Sequence, residues 1–407
     1  MTPGEIQELD ASDPLAFARE RFRLPEALIY LDGNSLGALP RAAPPALAET
    51  AEQQWGQDLI ASWNQHGWID WPGRIAAKLA PIVGADGREL LIADSTSVSL
   101  FKLLAAAAHA RPDRSVILTQ EQNFPTDLYV AQGLCDMLGL KLRAVAASDV
   151  IDAIDRETAV VTLTHVDYRS GSFHDIRAIN DAAHAMGALT VWDLSHSAGA
   201  VELDLAGSDC DLAVGCGYKY LNGGPGAPAF LYVAERLQEE LRNPLQGWMG
   251  HAEPFAFTDD YRPSAGIARF LTGTPSILAL AALDAGLGTF DGISMGDVQT
   301  KSRLLSQLFI DEVEQGCGTE VQLASPRDPA KRGSHVVFAH PNGYAVMQAL
   351  IARGVIGDFR APDLMRFGFA PLYNSFVEVA RATEILAEIL ASREWDQPRF
   401  HERAKVT

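Results

Sequence analysis

A chain of 407 residues with 47% hydrophobic and 21% charged side chains has room for two or three domains, or a large one with a smaller partner, and is too apolar to be disordered or fibrous. Its 33 basic residues against 52 acidic ones leave a formal charge of -19, which repels phosphate backbones and anionic membranes; with no basic run to offset it, neither nucleic acid nor a membrane is expected as a partner. The four cysteines, Cys135, Cys210, Cys216 and Cys317, form no CxxC pair, so no metal centre or disulfide framework is expected, and a cytoplasmic setting suits them.

In chain order, Met1 to Phe22 carries acids and lacks the basic start and apolar run of a secretory signal, and no apolar stretch reaches membrane-spanning length. A soluble, unprocessed chain is expected. Leu28 to Leu31 reads as a short strand, followed by the turn-rich Asp32, Gly33, Asn34 and Ser35, a loop that ends at Gly37 and Pro40. A helical pattern runs from Pro45 towards Trp63, and Gly67, Pro72 and Gly73 interrupt it around Trp63, Trp68 and Trp71, which read as core.

From about residue 86 to 235, short β-rich runs alternate with helical stretches, the pattern of a parallel sheet covered on both faces. The expected strands are Leu90 to Ala93, Ser115 to Thr119, Lys141 to Val145, Ala159 to Thr164, Leu189 to Trp192, Leu212 to Gly215 and Ala229 to Val233, with helices at Ser97 to Ala110, Thr126 to Leu138 and Ile176 to Met186. Beyond about residue 297 come a long amphipathic helix (Val298 to Glu314), a strand at Ser334 to Ala339, and helices near Tyr344 to Arg353 and Phe376 to Leu390. The reading is an α/β fold: an N-terminal segment, 1–40, on the small domain; a large domain, 41–296, with a mainly parallel sheet flanked by helices; and a smaller C-terminal α+β domain, 297–407.

The most informative stretches are Val191-Trp192-Asp193-Leu194-Ser195-His196 and Gly217-Tyr218-Lys219-Tyr220, the latter followed by Asn222-Gly223-Gly224-Pro225-Gly226. An acid at one strand end and a lysine in a later loop can meet at the carboxyl edge of a sheet. Pyridoxal phosphate needs such a pair: a carboxylate keeps its pyridine nitrogen protonated, and a lysine amine forms a Schiff base with its aldehyde. The glycine-rich run lacks both GxGxxG and GxxxxGKS spacing, which sets nucleotide binding aside. Between a strand and a helix, Asp94-Ser95-Thr96-Ser97 offers backbone N-H groups, hydroxyls and the positive helix end to a phosphate, though read alone it is equally a plain N-cap. Phe124, in Asn123-Phe124-Pro125-Thr126-Asp127, can stack on a pyridine face or sit in the core, and Asp127 can cap a helix.

In that order, these motifs resemble the kynureninase family over most of the chain. The likeness is carried by Tyr30-Leu31-Asp32-Gly33-Asn34-Ser35-Leu36-Gly37, Asn123-Phe124-Pro125, Trp192-Asp193-Leu194-Ser195-His196, Tyr218-Lys219-Tyr220-Leu221-Asn222, Gly247-Trp248 and Pro371-Leu372-Tyr373-Asn374-Ser375-Phe376.

The resemblance implies a large domain like the pyridoxal-phosphate-dependent transferases (fold type I, class V aminotransferase-like) and hydrolysis of the Cβ-Cγ bond of L-kynurenine, or of 3-hydroxykynurenine, to anthranilate or 3-hydroxyanthranilate and L-alanine. That reaction serves tryptophan catabolism and pyridine nucleotide (NAD) biosynthesis. It further implies pyridoxal 5'-phosphate bound covalently to Lys219, Asp193 facing the pyridine nitrogen, and Thr96, Ser97, Phe124, Asp127, Thr164, His196, Tyr218, Trp248 and Thr274 around the cofactor. Some relatives carry Asn at the position of Thr274, which bears on acceptance of a ring hydroxyl. Arg366 matches the arginine that grips the substrate carboxylate, although from its neighbours alone a buried structural ion pair is as good a reading. Tyr218 is a candidate proton relay and equally a phosphate ligand. The family forms homodimers with sites at the subunit interface, so Trp63, Trp248 and His251 are expected to reach a site across it. The alternatives are a cysteine desulfurase or aminotransferase on the same scaffold, or a catalytically silent homologue. A desulfurase needs a reactive cysteine, and only Cys317 lies far enough downstream.

Overall fold

The computed structural model describes residues 1–403. Helix α1 (Pro3–Ala11) opens with a capping box in which Thr2 and Glu5 satisfy each other's backbone N-H groups. The expected strand near residue 30 is Ile29–Tyr30, which pairs in parallel with Val355–Ile356. The helical stretch beyond Pro45 is broken into an α-turn at Ala43–Ala48, a π-helical stretch at Glu49–Trp55 and two short pieces ending at Gln65. The expected interruption at Pro72 and Gly73 does not occur. Pro72 lies in the first turn of α2 (Trp71–Val83), where a missing N-H loses no bond, and the break falls at Gly67, whose φ is 63°. Trp68 and Trp71 are buried, while Trp63 is half-buried and edge-on to Trp68.

The large sheet comprises β1 (Leu90–Ala93), β2 (Val116–Gln120), β3 (Lys141–Val145), β4 (Thr158–Thr164), β5 (Leu189–Asp193), β6 (Leu212–Gly215) and β7 (Ala229–Val233). Their order is β1-β7-β6-β5-β4-β2-β3. Strands β2 to β6 are parallel, and β7 runs antiparallel to both β6 and β1. The expected parallel sheet is therefore mixed at one side. The two reversals cancel, so β1 ends on the same edge as the parallel set. Helices α3 (Thr96–His109), α4 (Pro125–Leu138) and α5 (Ile176–Met186) cover the sheet. Every residue of β4, β5, β6 and β7 is buried, which is why they read as continuous apolar runs rather than alternating ones.

Helix α6 (Ile277–Leu287) was not expected; it is apolar along its length and shows no polar face to betray a period. The C-terminal part packs α7 (Met295–Cys317), α8 (Gly343–Ala352) and α9 (Phe376–Ser392) on a four-stranded sheet of β8 (Gln322–Leu323), β9 (His335–Ala339), β10 (Asp358–Arg360) and β11 (Leu364–Gly368), in the order β8-β9-β11-β10. Two apolar cores result. Ile6 and Leu31 join Phe309, Phe338 and Phe367 in the smaller, whereas Leu15, Ala18 and Phe22 join the larger, so the first 40 residues pack on both.

The loop after Leu31 closes over the one carrying Lys219: Gly37 donates its N-H to Tyr218 O at 2.8 Å. A Cβ at Gly37 would lie 2.4 Å from Lys219 O, and a carbonyl cannot step aside as a side-chain tip can. Gly37→Ala is expected to lower unfolding free energy by about 1–3 kcal/mol, measured by urea denaturation; an unchanged midpoint and slope would show that this approach has slack.

Candidate active site

Loops leaving the carboxyl ends of β1, β2, β4, β5 and β6 enclose a cavity of ≈ 240 Å³. Its walls include Ser95, Thr96 and Ser97 after β1, Phe124 and Asp127 after β2, Thr164 and Tyr168 at and after the end of β4, Asp193 and His196 at and after the end of β5, and Tyr218 and Lys219 after β6. Nine of the residues expected around a cofactor thus share one cavity.

Asp193 Oδ1 accepts the Ser195 N-H at 2.7 Å, a local turn that fixes the carboxylate at the strand end. Thr164 Oγ1 donates to Asp127 Oδ2 at 2.9 Å. Burial, then the nearby Asp193, push Asp127 well above the usual carboxylate range, favouring its protonated form. Lys219 Nζ lies 3.0 Å from His196 Nε2 and 5.9 Å from the Phe124 ring centre. Burial, reinforced by Lys219, holds His196 well below the usual imidazole range. The ring is neutral, Nε2 meets the lysine amine, and Nδ1 is a buried atom with no partner. Burial pushes the Tyr218 phenol up, so it too is neutral.

Ser95 caps α3 by accepting the Val98 N-H, and the helix's first-turn N-H groups have no intrahelical acceptor. Behind this turn, the fully buried Lys102 pairs with Asp94 and donates to Phe270 O at 2.8 Å. The donor set fits pyridoxal phosphate: an amine for the aldehyde, a carboxylate for the ring nitrogen, hydroxyls and a helix N-terminus for the phosphate, and an orphaned imidazole nitrogen.

Five expected residues lie off this cavity. Trp248 is 39% exposed and packs edge-on to Phe255 at 5.5 Å. Thr274 is exposed and Trp63 half-buried. His251 is buried, its Nδ1 accepting the Glu253 N-H at 2.9 Å. Arg366, on β11, is buried in an ion pair with Asp358 and donates to Tyr168 O at 3.0 Å. Sequence reasoning missed Tyr168 and Asp358, and named Ser95 and Ser195 only as members of motifs. Tyr168 follows the end of β4 by four residues, and that position at a carboxyl edge was the available signal.

Asp127 supplies a pH prediction. The folded chain keeps a proton on it that the unfolded chain releases in the usual carboxylate range, so its contribution to stability falls as pH rises above that range. Asp127→Asn replaces a neutral acid by a neutral amide. Its unfolding free energy is expected to decline less than that of the parent between about pH 5 and about pH 8, by urea titration; parallel pH profiles would refute the protonated assignment.

A description of the kynureninase C-terminal domain matches residues 298–386. The chain is 50% identical to the kynureninase of Pseudomonas fluorescens and 49% identical to those of Burkholderia mallei (strain SAVP1) and Burkholderia pseudomallei (strain K96243), in each case over 100% of both chains. Among solved structures, it resembles an apo cysteine desulfurase from Thermococcus onnurineus NA1 (TM-score 0.79, 23% identity, 93% of this chain and 98% of that one). It also resembles C-DES with glycine covalently linked to its PLP cofactor (TM-score 0.79, 19% identity, 91% and 99%); at these identities the likeness speaks for the fold alone. With half its residues identical to a kynureninase from end to end, the chain belongs to the kynureninase family.

Proposed function

We propose that this protein hydrolyses the Cβ-Cγ bond of L-kynurenine, and of its 3-hydroxy form, to the corresponding anthranilate and L-alanine, using pyridoxal 5'-phosphate bound covalently to Lys219. The observation that carries the reading is the Lys219 amine and the Asp193 carboxylate on the walls of one cavity. When bound, the cofactor supplies a sink for the electron pairs left at Cα and Cβ. Asp193 would hold the ring nitrogen protonated, Thr96 and Ser97 with the α3 N-terminus would hold the phosphate, and Phe124 and His196 would line the ring's place. Lys219 Nζ, displaced by the substrate amine, removes the Cα proton; neutral His196 beside it can accept a hydrogen bond but does not compete as a cation. Arg366 binds the substrate carboxylate, and Tyr218 returns protons late in the cycle.

A desulfurase reading has nothing to stand on, since Cys317 is buried in the small core and burial pushes its thiol up to about 11. Trp63, Trp248, His251 and Thr274, off the cavity within this chain, serve the site of a partner subunit in a homodimer. Support comes from two groups of exposed apolar side chains, Trp55, Leu59 and Ile60, and the mutually packed rings Trp248, Phe255 and Phe257. We place the enzyme in the cytoplasm, where four unpaired, buried thiols are stable. Among the described residues, no single helix is long and apolar enough to cross a membrane. We divide the chain as segment 1–40, large domain 41–296 and small domain 297–407.

Incubation with L-kynurenine or 3-hydroxykynurenine should release one alanine per aromatic product, followed by anthranilate fluorescence and amino-acid analysis. Lys219→Ala should lose the visible absorbance of the bound cofactor and about a thousandfold or more in turnover; retention of both would overturn the assignment. Light scattering should give twice the 43.9 kDa chain mass, and a monomer at full activity would remove the cross-subunit roles.

A further inference from the structure

Arg366 is held from both sides. On the interior strand β11 it faces Asp358 of β10 directly in register, and both side chains are 3% exposed. Asp358 takes one edge of the guanidinium: Nε donates to Oδ1 at 2.8 Å and Nη2 to Oδ2. The other edge meets two neutral acceptors, Tyr168 O on Nη1 and Ser35 Oγ on Nη2, each at 3.0 Å. Tyr168 is a wall of the cofactor cavity, so this second edge is the one turned towards it. Ser35 is brought in by the N-terminal loop, stitched to the end of β11 where Gly368 donates to Leu31 O at 2.7 Å. Its hydroxyl also donates to Asp358 Oδ2 at 2.8 Å.

Charge decides what this edge can bind. A lone Asp358 would cancel Arg366, but Arg360, two residues along β10, shares the same carboxylate at 2.9 Å. The three groups sum to plus one. The remaining acid there, Asp32, is pushed up to about 7 by burial and by Asp358, so below neutrality it does not erase that charge. The hydroxyls of Tyr30, Tyr220 and Tyr373 around the cluster are all pushed up by burial and add none. A net cation with one bidentate edge occupied only by neutral acceptors favours exchange for a carboxylate, whose charge-assisted bonds are stronger.

We propose that Asp358 is a positioning residue for substrate binding: it grips Arg366 by the Nε and Nη2 edge and so presents the Nη1 and Nη2 edge to the substrate carboxylate, which takes the places of Tyr168 O and Ser35 Oγ. This rests on the reading of Arg366 as the carboxylate-binding residue. The same register that makes the ion pair makes the binding edge.

The test compares the holoenzyme with its Asp358→Asn, Asp358→Glu and Arg366→Met variants. The probes are L-kynurenine as substrate and the amine lacking its carboxylate as competitive inhibitor. Asp358→Asn should raise KM about tenfold or more while kcat falls less than about threefold and the Ki of the amine moves less than about twofold. General damage to the fold would raise both constants together, and that result overturns the proposal. So does a KM within about twofold of the parent for Asp358→Asn when Arg366→Met raises it strongly. If Arg366→Met leaves KM unchanged, the reading of Arg366 itself fails, a different outcome. Should the Asn variant not fold, Asp358→Glu keeps the charge but moves it by one methylene; the same split is expected, and a parental KM overturns the positional claim.

Discussion

One cavity holds two carboxyl groups and an amine on its walls, and the two carboxyls, both buried, raise each other's cost of ionisation. An uncompensated buried carboxylate costs several kcal/mol. Here Asp127 is relieved by keeping its proton and accepting from Thr164, while Asp193 accepts the Ser195 N-H. Asp193 is consequently the group left to meet a cation. That division follows from position: Asp193 ends a central strand and bends into its own turn, whereas Asp127 sits in the first turn of α4 with Asp193 as its electrostatic neighbour.

The sheet exists to make that meeting possible. Five strands of one direction deliver their carboxyl ends to a common edge, and β1 reaches the same edge only because β7 reverses twice. Without that reversal the Ser95 to Ser97 turn would lie at the far side of the molecule from Lys219. Tyr220 turns the other way from its neighbours: it is buried, and its hydroxyl donates to Ser334 O across the two cores. The Lys219 loop is thus pinned from the small domain by Tyr220 and from the N-terminal segment by Gly37, so the reactive amine is placed by three parts of the chain distant in sequence.

How much of this was legible in the sequence depended on range. Strands β1, β3, β6 and β7 fall at the boundaries expected; for β1, β6 and β7 the reason is that a buried strand is a short apolar run stopped by turn residues, a local signal. Nine cavity residues were named beforehand, some from short motifs at strand ends and others, such as Thr164 and His196, only through the family resemblance. Helix α6 escaped because its solvent-facing side is apolar too, Leu278 among it, which leaves no period to read. Pro72 misled because proline ends a helix in its middle but suits its first turn. The pairing of Arg366 with Asp358 was out of reach: it is set by a strand register, and one sequence does not reveal which residue stands opposite. Tyr168 engages Arg366 through a backbone carbonyl, which every residue possesses and no motif records.

Two rings that refuse charge lie within electrostatic reach of both Lys219 and Arg366. His196 and His335 are wholly buried, edge-to-face at 5.3 Å, and each feels both Lys219 and Arg366. Burial drives His335 down to about 3 and holds His196 well below its ordinary range, so neither adds a cation between the amine and the guanidinium. Protonating either ring would set three positive charges in sequence through a medium with little water to screen them. As neutral groups they add no competing cation beside either side chain.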